Sequence, residues 1–506
     1  MIHRFLLFAA LALVLVQAVP ANQKTPLEID EQVTYYIAHG QTPGSVWKRA
    51  FEQSATPPLS FWFVKASSAV GNSIGVGSRE FWLRFPSLTA YLVSVWLVWR
   101  IVGREYGPSA ASAAAVMLAL HSVGIDKMAL QARPYSLGLM FAMLAIDQLS
   151  LLRCGKWCST DASLLGIALT GLPWTHYLFG LLWIPAALQV LFTKEYAGFR
   201  ARLFGTMLLA GLWCLPLIPG ALRVNSIGPS LAWITEPPSW QPLDALIAAT
   251  GFLAGLTAAF ALRFNPGWIA PVYRWSPIKR DSLVWLVAWV VIPFAVLIGL
   301  ATKLAHPSLA QLRYVLPTLG AAVVVIAQLF AVASGGRFVV IAALVFSIVA
   351  GHATNAWRHV QQPVWHDSEW KEAGELLKDR ANADDLVFVQ PGLVEAFLTP
   401  VKYADPGFQE YATSRLSDFY AGRGFPRLVV SLNFPHGEDR YLTEYTRRVE
   451  AVRENKGVVW FVVSADTDLG ERCQKNFEQW IKAKSFTVEV VRTNRIARVL
   501  KCMPSQ

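Results

Sequence analysis

The chain has 506 residues, 54% of them hydrophobic and only 16% charged, with a mean hydropathy of +0.38, whereas soluble globular chains carry roughly 25% charged residues. Its apolar residues fall in runs approaching the roughly 20 that cross a bilayer as one helix, which excludes a soluble enzyme and leaves a polytopic α-helical membrane protein. The net charge of +11 arrives without any basic run that could track phosphates, so it points to Lys and Arg in cytoplasmic loops and not to nucleic acid. Five Cys with no CxxC spacing give neither a zinc nor a thioredoxin-type framework.

Residues 5–19 form the first apolar segment. They read either as a retained span or as a cleaved signal peptide; the many spans that follow favour retention, and the orientation is the same in both cases. The first polar loop, 20–81, comes next. It holds Glu28, Asp30 and Glu31, three of only thirteen acids in the first 355 residues, and then Pro57-Pro58-Leu59 ahead of an aromatic segment suited to the membrane interface. Acids that scarce, gathered beside a membrane, suggest the roof of an active site.

Further spans are expected near 82–100, 108–124, 135–152, 162–175, 177–193, 203–222, 243–262, 282–302, 313–333 and 338–354, about eleven in all. Pro173 is expected to divide the 162–193 pair just before His176. Arg4, Arg100, Arg104, Arg153, Lys156, Lys194, Arg200, Arg202, Arg263, Arg274, Lys279, Arg280 and Arg337 fall in one set of loops. The opposite short loops hold Lys127, Arg133, Arg223, Lys303 and Arg313. This asymmetry places the first set in the cytoplasm and the 20–81 loop outside, with the C-terminus outside as well. From about Trp357 the chain becomes polar. SEWKEAGELLKDRA and FEQWIKAK have helical spacing, while DLVFVQ, RLVVSL, VVWFVVS and FTVEVVRT read as strands. The expected organisation is therefore a transmembrane domain over 1–355 and an extracytoplasmic α/β domain over 356–506. A disulfide between Cys473 and Cys502 suits that compartment.

The candidate chemistry lies in the outward loops. Asp30 or Glu31 can act as a general base or ligate a divalent cation; alternatively Asp30 caps a helix and Glu31 sits in its first turn. Arg133 and Arg313 each precede an aromatic partner, Tyr135 and Tyr314, and present the planar fork that matches phosphate oxygens; the competing reading is a pair of snorkelling interfacial arginines. His176, with Tyr177 beside it, can contact a phosphate, an acceptor or a metal, or simply meet a helix-end carbonyl. Glu236 is a further acceptor or metal contact. Asp147, toward the inner end of its span, is set aside.

Taken together, Asp30-Glu31, Pro57-Pro58-Leu59 about 27 residues on, LRFPS at 83–87, ARPY at 132–135, THY at 175–177 and RY at 313–314 resemble the GT-C class of membrane glycosyltransferases. The likeness is to the bacterial relatives of protein O-mannosyltransferases and of the lipid A aminoarabinose transferase, and it covers roughly residues 25–320. Two positions depart from the pattern: Ala55-Thr56 stands where the aminoarabinose transferases carry Glu-Lys, and Gln131 stands where Glu is common.

The resemblance implies a multispan helical fold with an outward-facing site, a polyprenyl-phosphate-linked sugar as donor, and Asp30 as the catalytic carboxylate. It also implies Arg133, and secondarily Arg313, at the donor phosphate. The implied activity is inverting transfer to a hydroxyl or amine of a glycan, lipid or protein, in the bacterial inner membrane with the site and C-terminal domain facing the periplasm. No nucleotide is required by this chemistry, since the activated bond is already in the donor; a divalent metal stays open as a cofactor, since Asp30, Glu31 and His176 can ligate one. The alternative is a membrane transporter or lipid flippase, which would place its charged features near the bilayer midplane.

Overall fold

The computed structural model describes residues 2–227, 277–303, 312–333, 365–390 and 405–505, excepting 41–42, 55, 122–123, 156–157, 417, 423–424, 432–433, 435–439, 465–467 and 494–496. Contacts divide the chain into two compact units, one of Met1–Lys24 with Ala50–Gln361 and one of Thr25–Arg49 with Gln362–Gln506. The loop 20–81, assigned as a whole to the transmembrane domain on sequence grounds, is thus shared between the two.

Helix α1 (Ile2–Lys24) leads into two short helices, α2 (Ile29–Ala38) and α3 (Pro43–Gln53). The first unit then continues with α4 (Leu59–Ile74), α5 (Arg79–Tyr106), α6 (Pro108–Ala119), α7 (Tyr135–Arg153), α8 (Ser159–Thr175), α9 (Trp183–Phe192), α10 (Arg200–Cys214), α11 (Ile218–Ile227), α12 (Pro277–Lys303) and α13 (Leu319–Ala333). Among the described residues, five segments are long and apolar enough to cross a membrane: His3–Lys24, Arg79–Tyr106, Tyr135–Arg153, Lys194–Arg223 and Ser282–Leu300. Shorter apolar helices at Ala110–Ala119, Tyr177–Phe192 and Leu316–Gln328 occupy three more of the expected spans. The expected spans 243–262 and 338–354, and Glu236, lie outside the described residues. The outward faces of α1 and α10 stay apolar and exposed, with Phe5 and Phe8 on one and Leu208, Leu212 and Trp213 on the other. An exposed apolar belt of this kind is what lipid, and not water, solvates.

The 162–193 pair divides where expected, just before His176, but the break is not at Pro173 itself. Helix α8 runs through it to Thr175, and the chain turns only at His176, whose backbone is extended at φ −157°, ψ 133°. A proline removes the N–H that the carbonyl four residues earlier would receive. Here that carbonyl belongs to Leu169, and the Trp183 indole N–H donates to it at 2.8 Å. The helix survives its proline because the next segment replaces the missing donor.

At one end of α5 and α7 the charges are neutralised internally. Asp147, fully buried, accepts from Arg104 at 2.7 Å and lies 3.3 Å from Arg100. Glu105 accepts from Arg153 at 2.5 Å and Ser150 at 2.6 Å, and also from Ser282. Buried acids must be paired or pay heavily for desolvation, so these two tie α5, α7 and α12 together and need no role in chemistry.

The C-terminal part of the second unit is built on a five-stranded sheet, β1 (Leu386–Gln390), β2 (Arg427–Val429), β3 (Val459–Ser464), β4 (Phe486–Thr493) and β5 (Ala497–Pro504), in the order β2-β1-β3-β5-β4. β1 runs parallel to β2 and β3; β5 is antiparallel to β3 and to β4. Alternation sorts the side chains of β1: Leu386 and Phe388 pack with α17 (Arg440–Glu454) and α18 (Asp468–Lys482) on one face. Val387 and Val389 pack with α14 (Trp365–Arg380) on the other. Among the described residues this part also has two short helices, α15 (Pro406–Ala412) and α16 (Asp418–Ala421). Cys473 and Cys502 are both buried free thiols, so the expected disulfide is absent. Burial pushes both thiols up to about 12, which leaves them unreactive.

Candidate functional site

Five of the residues singled out in the sequence come together in the first unit. His176 lies between α8 and a 3₁₀ turn at Tyr177–Leu182. Its ring stands 5.1 Å from that of Tyr314 and 5.0 Å from that of Phe179. Arg313 holds its guanidinium 5.1 Å from the centre of the Tyr314 ring. Arg133 donates to the Tyr135 hydroxyl at 3.3 Å and sits 5.6 Å from that ring's centre. Tyr314 lies within electrostatic range of Arg313, Arg133 and Tyr135, and both guanidiniums act on His176.

That neighbourhood defines the state of His176. Burial, with the charges of Arg133 and Arg313 added to it, lowers its pKa to about 3, so the ring is neutral at any ordinary pH. Nδ1 accepts the backbone N–H of Leu178 at 3.2 Å, which leaves the ring hydrogen on Nε2 and makes that atom a neutral donor. The expected helix-end contact to a carbonyl is therefore replaced by a cap on the following 3₁₀ turn. Two adjacent guanidiniums also oppose a divalent cation at this histidine, and favour an anion.

The segment carrying Arg133 is fastened from two sides. It passes through a π-helical turn, Ile125–Ala129, a form often found near functional sites. The amide of fully buried Asn22, near the end of α1, donates to the Ala129 carbonyl at 3.2 Å. The Ser87 hydroxyl on α5 donates to the Arg133 carbonyl itself at 3.2 Å. One turn before it on the same helix, Arg84 is only 1% exposed and reaches the Asn22 carbonyl at 3.5 Å. Asn22 escapes sequence inspection because it is not unusual in its own window, whereas Ser87 closes the LRFPS motif. Arg84, a charge inside an apolar run, is the available signal.

The other candidates fall elsewhere. The Tyr177 hydroxyl packs with the Phe51 ring against Gly220 of α11. Asp30 and Glu31 belong to the second unit. There Glu28, and not Asp30, is the N-cap of α2, and the Glu31 carboxylate, fully buried, accepts the Glu28 backbone N–H at 2.9 Å. Glu31 thus has a capping role, while half-buried Asp30 occupies the second helical position. Among the described residues, no three of His, Cys, Asp and Glu gather as a set of metal ligands.

Residues 55–221 match the family described as dolichyl-phosphate-mannose-protein mannosyltransferase. That stretch contains Pro57-Pro58-Leu59, LRFPS, ARPY and THY; Asp30-Glu31 and Arg313-Tyr314 lie outside it. The fold is similar to that of the Archaeoglobus fulgidus oligosaccharyltransferase solved with a tethered acceptor peptide, at a TM-score of 0.52 and 10% identity over 92% of this chain and 69% of that one. It is also similar to the mycobacterial arabinofuranosyltransferase AftD, at 0.50 and 14% over 100% of this chain and 41% of that one. ArnT from Cupriavidus metallidurans, solved with undecaprenyl phosphate, aligns over 98% and 97% of the two chains at 14% identity and a TM-score of 0.45. No curated protein sequence matches. The match over 55–221 and the shared fold agree with the GT-C resemblance that the motifs carry, and the chain is an integral membrane protein.

Proposed function

We propose that this chain is an inverting glycosyltransferase that moves a sugar from a polyprenyl-phosphate donor to a hydroxyl or amine of a glycan, lipid or protein. The reaction takes place at the outer face of the bacterial inner membrane. The carrying observation is the gathering of Arg133, Tyr135, Arg313 and Tyr314 about the buried His176 ring. Like charges brought together at a protein surface repel, and an anion between them offsets that cost. The family matched over 55–221 is described by a lipid-phosphate-linked sugar, whose leaving group is such an anion. Both arginines also fall in the loops that the positive-inside asymmetry assigns to the outer side.

In this reading the guanidiniums hold the donor phosphate and take up the charge that develops as the bond from the anomeric carbon to the phosphate oxygen breaks. The His176 Nε2–H is a further donor that adds no charge. Asp30 accepts the acceptor's proton as its oxygen or nitrogen attacks the anomeric carbon, and polyprenyl phosphate leaves with the electron pair. The activated bond is already present in the donor, so no nucleotide takes part.

The test is a membrane assay with a radiolabelled polyprenyl-phosphate sugar. Transfer predicts label in an acceptor, stoichiometric free polyprenyl phosphate and an inverted anomeric configuration by NMR. Label that crosses the bilayer with its sugar–phosphate bond intact would make the chain a flippase instead.

A further inference from the structure

The helix that carries Asp30 is held by the C-terminal domain. Helix α2 has ten residues, too few to be stable alone in water, where about 12–15 are marginal, so its packing partners decide its position. Those partners lie nearly 400 residues further along the chain. The backbone N–H of Leu27, itself fully buried and three residues ahead of Asp30, donates to the Tyr420 hydroxyl at 2.8 Å. The Tyr35 ring meets Phe419 edge-on at 5.0 Å, and Tyr35 stacks on His39 at 3.9 Å. At the far end of the helix, the Tyr36 hydroxyl donates to Glu410 at 3.0 Å. Arg49 donates to the Tyr36 carbonyl at 2.7 Å and to Glu410 at 3.2 Å.

These contacts are unequal. The Arg49–Glu410 pair is exposed, with the Glu410 side chain 60% accessible, and exposed pairs contribute little. The Leu27–Tyr420 bond is buried, and losing its acceptor would strand a buried amide. Tyr420 is therefore the pin, and it fixes the start of α2, where Asp30 sits.

We propose that the C-terminal domain is the scaffold of the Asp30 helix, with Tyr420 as a positioning residue that sets the carboxylate for proton abstraction. This inference rests on the assignment of Asp30 as the base. Its test uses the full-length chain in lipid nanodiscs, with Tyr420→Phe, Glu410→Gln and Asp30→Asn, and Arg447→Ala on the exposed face of α17 as a control. Hydrogen exchange of residues 27–38 reports the helix; kcat and KM for a labelled polyprenyl-phosphate sugar report the chemistry.

Tyr420→Phe is expected to speed exchange at Leu27 and the first turn of α2 at least tenfold and to lower kcat several-fold. Donor KM should stay within twofold, because donor binding does not pass through α2. Glu410→Gln and Arg447→Ala should change neither readout. Unchanged exchange in Tyr420→Phe, or faster exchange with an unchanged kcat, overturns the scaffold while an inactive Asp30→Asn keeps the base. A fully active Asp30→Asn overturns the base assignment and the catalytic part of the scaffold with it.

Discussion

Gly138 and Phe179 are in such close contact that a methyl group on the glycine would stand 2.4 Å from the ring, and 3.0 Å from Pro317 as well. Gly138 lies one turn after Tyr135, Phe179 three residues after His176, and Pro317 three residues after Tyr314, so one missing side chain lets all three site-bearing segments meet. Gly138→Ala is expected to push them apart. Overpacking of this kind costs about 1–3 kcal/mol, and displacement by roughly 1 Å can cost about 100-fold in rate. Thermal melting and kcat/KM together check this; wild-type transfer by the alanine variant would show that the cluster is not the site.

Arg133 and Arg313 are expected to differ from lysine in kind. Arg133→Ala should lower transfer by roughly 100-fold or more, the size of a lost oxyanion donor. Arg133→Lys should recover only part of that, since it keeps the charge and loses the fork. Competition by free polyprenyl phosphate measures the binding component: its inhibition constant should rise in both Arg133 variants and in Arg313→Ala.

Asp30 and Glu31 are adjacent in sequence, yet only the Glu31 carboxylate closes the capping box of α2, and the proposed reaction gives the chemistry to Asp30. Asp30→Asn should abolish transfer without changing melting. Glu31→Gln keeps an oxygen for the Glu28 N–H, so it should retain most activity and lose no more than about 1 kcal/mol of stability. Parallel kinetics and melting of the two variants decide; equal loss of activity would return Glu31 to the chemistry.

The pH behaviour of His176 has a definite sign. Folded, it takes a proton only near 3; unfolded, near 6.5. Between those values the unfolded chain binds the extra proton, so stability is complete above about pH 6.5 and falls as pH drops toward 3. His176→Asn should melt with a shallower acid dependence than the parent across that window. The parent's transfer rate should show no limb near 6.5 that the variant removes.

Much of this was legible one window at a time. Hydropathy marks α1, α5, α7 and α12 because burial in lipid is summed over consecutive residues, and the Arg-Tyr pairs stand out as charges at span ends. The strands β1 and β3 announce themselves as short β-branched runs. β5 does not, because Arg498 and Lys501 interrupt it, and it becomes a strand through pairing with β3 and β4.

By itself, the sequence determined that the chain lives in a membrane, which loops carry its cations, and which short motifs it shares with glycosyltransferases, since each depends on residues close together in the chain. Tertiary structure decided that Arg133 and Arg313, 180 positions apart, meet at His176. It also decided that Trp183 satisfies the carbonyl Pro173 leaves open, that Glu31 caps while Asp30 does not, and that residues 25–49 pack with a domain beginning more than 300 positions later. Those outcomes depend on which surfaces fill one another's space and complete one another's hydrogen bonds, and no local window contains both partners.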